Sequence, residues 1–281
     1  MRSLLINPVL NKEIKLRFRS VKSFLGVFFY LFALGGIAIG FMLINTVFSA
    51  TAMFRPEQSR MMFMVLSFVQ MGLILFMTPG LTSGVISGER ERQTLNILLT
   101  TPQSSTSIIF SKLISSIAYL VLMIVSSLPL YSIVFLFGGV SPSLLLTTFG
   151  FYFIVMVTIG SVGVMFSTLI RKTIISTIIT YGVALFLAGG TAFLTVIGME
   201  LLANPSFNQT SIMPYLTGMM NPFIILISLF EDGITSELQN RSGIQFSLVT
   251  SFIISYMFIT ILSLVISIKR LRPNMKSKKG M

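Results

Sequence analysis

The sequence predicts an all-α integral membrane protein with six transmembrane helices. Three observations predict it. Hydrophobic residues make up 54% of the 281 and charged residues only 10%, whereas soluble domains carry about 25% charged residues; mean hydropathy is +0.91. The apolar residues are also gathered into runs of about 20 or more, the length that a bilayer core of about 30 Å demands of a helix. Six such runs lie at roughly 24–48, 61–85, 113–137, 144–170, 173–199 and 246–268. An even number of crossings puts both termini on one side, and the third observation, the sorting of basic residues, says which.

Seventeen of the twenty basic residues fall on that side: Arg2, Lys12, Lys15, Arg17, Arg19 and Lys22 before the first run, Arg90, Arg92 and Lys112 between runs two and three, Arg171 and Lys172 after run four, and Lys269, Arg270, Arg272, Lys276, Lys278 and Lys279 in the tail. Only Arg55, Arg60 and Arg241 are left for the other side. Basic residues are retained in the cytoplasm, so both termini are expected there, in a multi-pass protein of the cell membrane. The net charge of +12 is then topology plus attraction to anionic headgroups, and no feature points to nucleic acid.

Composition also removes classes of chemistry. With no Cys and no His there are no disulfides, no Cys/His metal sites and no Ser-His or Cys-His nucleophiles. No catalytic, cofactor or metal site is expected, and the chain is spent on a single transmembrane domain, residues 1–281. The N-terminus does not read as a cleavable signal, because its first apolar run follows some twenty residues of basic sequence and is too long.

Taken in order, residues 7–23 read as an interfacial helix. Asn7 caps it, Pro8 opens its first turn, and Leu10, Ile14, Phe18 and Val21 form a stripe opposite Lys12, Lys15, Arg19 and Lys22. Span one carries Gly36 and Gly40. Span two ends in Pro79 and Gly80, and Gly80, Gly84 and Gly88 recur at the four-residue spacing of close helix packing. Span three carries Pro129. The interval 201–245 is apolar in part, but Pro214 and Pro222 interrupt it and the run Phe223–Phe230 is too short to cross. It is expected to form re-entrant helices in the outer leaflet before span six, and residues 269–281 a basic cytoplasmic tail. No charge sits near a span's midpoint, which argues against proton relays and ion-coupled carriers. The mild polar groups present, among them Asn45, Gln70, Ser127 and Thr158, suit an apolar or amphipathic cargo.

One stretch stands apart, "GVISGERERQTLNILLTTPQSSTSIIFSK", residues 84–112. From Ser87 it reads as a helix with Glu89 and Glu91 at its positive end and Leu95, Leu98 and Leu99 on one side; Thr100, Thr101 and Pro102 stop it. The result, residues 86–103, is a short amphipathic helix held against the membrane by two stiff spans. Its alternating charges bind lipid poorly and suit contact with a cytoplasmic partner.

At these residues the chain resembles permeases of type-2 ATP-binding-cassette (ABC-2) exporters, in which a G-E-x-E-x-G-T-x-E-x-L-L-x-x-P-x-S-like pattern follows span two and a Lys opens span three. Gly88, Glu89, Glu91, Thr94, Leu98, Leu99, Pro102 and Lys112 match; Gln93 stands where Gly is usual and Asn96 where an acid is usual. The resemblance implies that residues 86–103 are a coupling helix seated in a groove of a separate ATP-binding subunit. Glu89, Arg90, Glu91, Arg92, Gln93 and Thr94 would then face that subunit, Leu98 and Leu99 pack the helix, Pro102 ends it, and Pro79, Gly80, Gly84 and Gly88 serve as hinge and packing positions. The chain has no G-x-x-x-x-G-K-[ST] loop, so ATP and Mg²⁺ belong to the partner ATPase. Six spans are half of this family's usual pore, which implies a second permease copy or a related permease. The expected function is export of a peptide, antibiotic, lipid or similar amphipathic substrate. The alternatives are a scaffold or sensor whose insert docks a signalling partner, and a carrier driven by an ion gradient, which the uncharged spans disfavour.

Overall fold

The computed structural model describes residues 13–15, 18–48, 55–95, 103–203 and 211–271. Its helices are α1 (Val21–Phe48), α2 (Pro56–Thr82), α3 (Ser87–Glu91), α4 (Ser105–Leu136), α5 (Pro142–Leu169), α6 (Thr173–Leu185), α7 (Thr191–Ala203), α8 (Met213–Gly218), α9 (Pro222–Phe230), α10 (Asp232–Ser242) and α11 (Leu248–Leu271). Six segments of the described residues are long and apolar enough to cross a membrane: α1, α2, α4, α5, α6 with α7, and α11. A backbone in lipid must satisfy its own hydrogen bonds, which is why continuous helices form on apolar runs rich in β-branched residues.

Local chemistry sets the ends. Pro56 occupies the first turn of α2, and the Arg55 amide donates to Gln58 Oε1 at 2.9 Å, so this helix starts five residues before its apolar run. α4 likewise begins at Ser105, well ahead of residue 113, because Ser104 Oγ caps the Ser107 amide at 3.1 Å. Lys112 therefore lies inside this helix. Ser141 caps α5 at 3.2 Å, with Pro142 at its first turn.

Span five departs from the expected continuous helix. Between α6 and α7 the chain widens into one π-helical turn, Phe186–Gly190. Adjacent Gly189 and Gly190 make it cheap, and the Asn221 amide holds it by donating to the Ala188 carbonyl at 2.5 Å and to Thr191 Oγ1 at 2.9 Å. Asn221 Oδ1 also accepts from the amides of Phe223 and Ile224 at 2.8 and 2.9 Å, capping α9. Pro214 and Pro222 do not simply break the interval 201–245; each opens a new helix in its first turn. At 9 residues, α9 is only about 14 Å long, too short to cross. α10 closes on Gly243 at φ 72°, a left-handed cap that glycine adopts without strain.

Spans two, three and four make the core, each with half or more of its apolar window buried, while spans one, five and six have under a third of theirs buried. α5 is central and packs on α2, α4, α6 and α11. Phe63 and Tyr131 meet edge to face at 5.5 Å, and Phe230 of α9 closes the same cluster. α5 approaches α2 where Gly163 faces Thr82: a Cβ at residue 163 would lie 2.1 Å from Thr82 Oγ1. The Gly80, Gly84 and Gly88 series faces span five instead, with a Cβ at 80 placed 3.0 Å from the Tyr181 hydroxyl and one at 84 placed 3.1 Å from Thr173 Cγ2. Gly36 and Gly40 meet nothing within 4 Å.

Candidate functional site

α2 ends at Thr82, and the chain turns through residues 83–86 into the short helix α3. Hydroxyl groups of spans four and five hold this junction. Ser167 Oγ accepts from the amides of Ile86 and Ser87, each at 2.9 Å, which satisfies donors that a helix start leaves open. Ser176 Oγ donates to the Ser83 carbonyl at 2.8 Å, and the hydroxyls of Ser83 and Thr177 are 2.8 Å apart.

The charged side chains that follow reach back to the spans. Arg90 donates to the carbonyls of Thr168 at 3.1 Å and Ile170 at 3.5 Å, where α5 ends. Glu91 accepts from the Thr173 amide and hydroxyl, each at 2.8 Å, where α6 begins. Lys172, the residue that precedes α6, gives it no side-chain cap, so Glu91 supplies one from 82 residues away. The signs follow the helix dipole: the cation sits on carbonyls at a C-terminus and the anion on amides at an N-terminus. Together the pair grips both sides of the short loop joining spans four and five.

Glu89 points the other way. Its Oε1 accepts from Lys112 Nζ at 3.0 Å, and its Oε2 accepts from the Thr94 hydroxyl. Lys112, only 5% exposed, also pairs with Glu13, whose other oxygen accepts from Ser115 Oγ at 3.0 Å. A buried ammonium costs several kcal/mol of lost hydration unless it is paired, and two carboxylates offset that here. The cluster ties the N-terminal segment, α3 and span three together, beside a polar cavity of about 200 Å³. Among the described residues no three acidic side chains gather as a metal site would need.

Past Glu91 the chain turns, and the expected unbroken helix from Ser87 is interrupted. Gln93 has φ 59°, the left-handed region. Gly suits this conformation best, which gives a physical reason for the Gly usual at this place in the resembling pattern. Arg92, Gln93 and Thr94 are exposed. Leu95 folds under, 6% exposed, in an apolar cluster with Ile86, Ile108, Ile109, Val164 and Leu271. Leu98, Leu99 and Pro102 lie outside the described residues, as do parts of the expected interfacial helix and all but three residues of the expected tail. Pro79 sits within α2, which continues through it.

The sequence therefore singled out the insert but not what holds it. Glu13, Ser167, Thr168 and Thr173 were missed. A signal existed: hydroxyl residues crowd the adjoining ends of spans four and five around Arg171 and Lys172, and Glu13 is the one acid among the basic residues of the N-terminus.

A family model described as ABC-2 family transporter protein matches residues 8–271. A comparison with curated proteins finds no match. The chain belongs to the ABC-2 family and is a membrane permease of an ABC transporter.

Proposed function

We propose that this ABC-2 permease is the pore-forming half of an exporter for an amphipathic substrate, driven by a separate cytoplasmic ATPase that seats on the insert after span two. The observation that carries this reading is the double grip of Arg90 on the end of α5 and of Glu91 on the start of α6. A mobile loop that only enforced topology would have no use for it. A load applied to the insert passes at once to spans four and five through these bonds, to span three through Lys112, and to span two through the chain itself.

Roles then divide within the insert. Arg92 and Gln93, exposed on the turn, contact the ATPase. Glu89, Arg90 and Glu91 transmit its movement, and Thr94 braces Glu89. The Gly80, Gly84 and Gly88 face lets span two slide along span five. ATP and Mg²⁺ are held by the partner, both termini are cytoplasmic, and a second permease copy or a related permease completes the path. The charged residues of the described spans lie toward their ends, and the uncharged middles fit a peptide, antibiotic or lipid cargo.

The test is extraction of the protein from its own membranes in mild detergent, with co-purifying chains identified by mass spectrometry and ATP hydrolysis assayed. A stoichiometric P-loop ATPase, released by Arg92→Glu with Gln93→Ala, supports the reading. An intact preparation with no ATPase moves it to a scaffold or sensor.

A further inference from the structure

Independently of that reading, the buried polar groups of spans one to four do not complete one another. Tyr30, Ser67, Gln70, Ser127, Tyr131 and Tyr152 lie together in the core, none more than 4% exposed. Gln70 Oε1 accepts from the Tyr131 hydroxyl at 2.9 Å, and the Ser127 hydroxyl, 3.2 Å from it, has one proton to divide between Oε1 and the Ile124 carbonyl at 2.7 Å. The Tyr152 hydroxyl donates to the Ser67 carbonyl at 2.9 Å. Three polar atoms of the same cluster, Tyr30 Oη, Ser67 Oγ and Gln70 Nε2, make no well-formed hydrogen bond within the protein, although Tyr30 lies near the Ser127 side chain and Ser67 near the Tyr131 and Tyr152 hydroxyls. Leaving even one such atom unpaired in an apolar interior is costly, and three at one place point to something that binds there.

We infer that this cluster is a binding site for ordered water, bridging span one to span two beside Tyr131 and Tyr152. The donor set decides the ligand. Gln70 Nε2 needs an acceptor, which excludes a metal cation at that point. An anion would need a compensating charge, and the cluster has none. Reversing the Gln70 amide exchanges its free donor for a free acceptor, and water satisfies either arrangement because it both donates and accepts. Internal waters typically make about three hydrogen bonds to groups left unsatisfied by the protein, the number of free atoms here. Span one, whose outer face is mostly exposed, is thus joined to the core at Tyr30 by an exchangeable bridge.

Radiolytic labelling reads the site directly, because X-ray pulses split bound water and oxidise the side chains beside it. The detergent-solubilised protein is pulsed in ¹⁸O-water, and tyrosine oxidation is measured by mass spectrometry. Tyr256 is the internal control: it is fully buried and donates to the Met220 carbonyl at 3.0 Å. Oxidation of Tyr30, Tyr131 and Tyr152 at least severalfold faster than that of Tyr256 is the expected result. Equal rates would overturn the inference. In Gln70→Met, which keeps the side-chain length and removes the amide, Tyr30 labelling should fall severalfold toward the Tyr256 rate; unchanged labelling would remove the amide from the site. Should that variant not fold, the comparison within the parent protein decides alone.

Discussion

Both carboxylate oxygens of Glu91 accept hydrogen bonds from Thr173, one from its amide and one from its hydroxyl, each at 2.8 Å. This is an N-terminal cap supplied across the fold, and it makes the start of span five depend on the insert after span two. Glu91→Ala should lower thermal stability in detergent, and Thr173→Ala should lower it less, because the backbone amide still bonds Glu91. The double variant should be no worse than Glu91→Ala, since both changes break one contact. Additive losses in that cycle, read as melting temperatures, would show that the two residues act separately.

Arg90 and Glu91 are near neighbours with opposite tasks, so exchanging their charges is a sharper test than removing them. Arg90→Glu with Glu91→Arg keeps net charge but sets each side chain against the wrong helix end. The exchanged protein should still insert and still bind the proposed ATPase through Arg92 and Gln93, with ATP hydrolysis no longer tied to movement of span five.

Lys112 carries the largest expected penalty. Lys112→Ala leaves Glu13 and Glu89 facing each other in a partly buried site, and losing one partner of a buried ion pair typically costs about 3–5 kcal/mol. Lys112→Met combined with Glu13→Gln and Glu89→Gln should recover most of that loss. Chemical denaturation in detergent measures both, and no recovery in the triple variant would mean that packing, and not charge, makes Lys112 necessary.

Gln93→Gly should stabilise the turn. A non-glycine residue in the left-handed region costs roughly 1–2 kcal/mol, while glycine returns about 0.5–1 kcal/mol of that as unfolded-state entropy. A net gain of about 0.5–1 kcal/mol is expected, seen as slower proteolysis of the insert.

Gly163→Ala puts a methyl group 2.1 Å from Thr82 Oγ1 and should cost about 1–3 kcal/mol, as overpacking does. Thr82→Ala on that background removes the clashing oxygen and should restore part of the melting temperature.

The six spans were legible because length and apolarity decide crossing almost by themselves, and the insert because four charges in an apolar chain are conspicuous. What escaped was whatever depended on a distant partner. Ser167, Thr168 and Thr173 look like filler until the fold brings residues 86–91 against them. The glycine series after Pro79 announced a close helix contact but not that span five makes it. The π turn at Phe186–Gly190 needed Asn221, which no periodicity connects to it. The start of α2 at Pro56, by contrast, is local, and follows capping chemistry and not the limit of the apolar run.

In the proposed mechanism the insert drives span five through Arg90 and Glu91. The chain has no cysteine, so a single Ile178→Cys change on the exposed face of α6, where Ile178 is 63% exposed, gives an unambiguous probe. Its rate of thiol modification is measured in the complex with the ATPase, with and without ATP. The expected result is a rate that changes with ATP in this background and no longer does when Arg90→Ala and Glu91→Ala are added, with the ATPase still bound. An ATP-dependent change that survives both substitutions would contradict it.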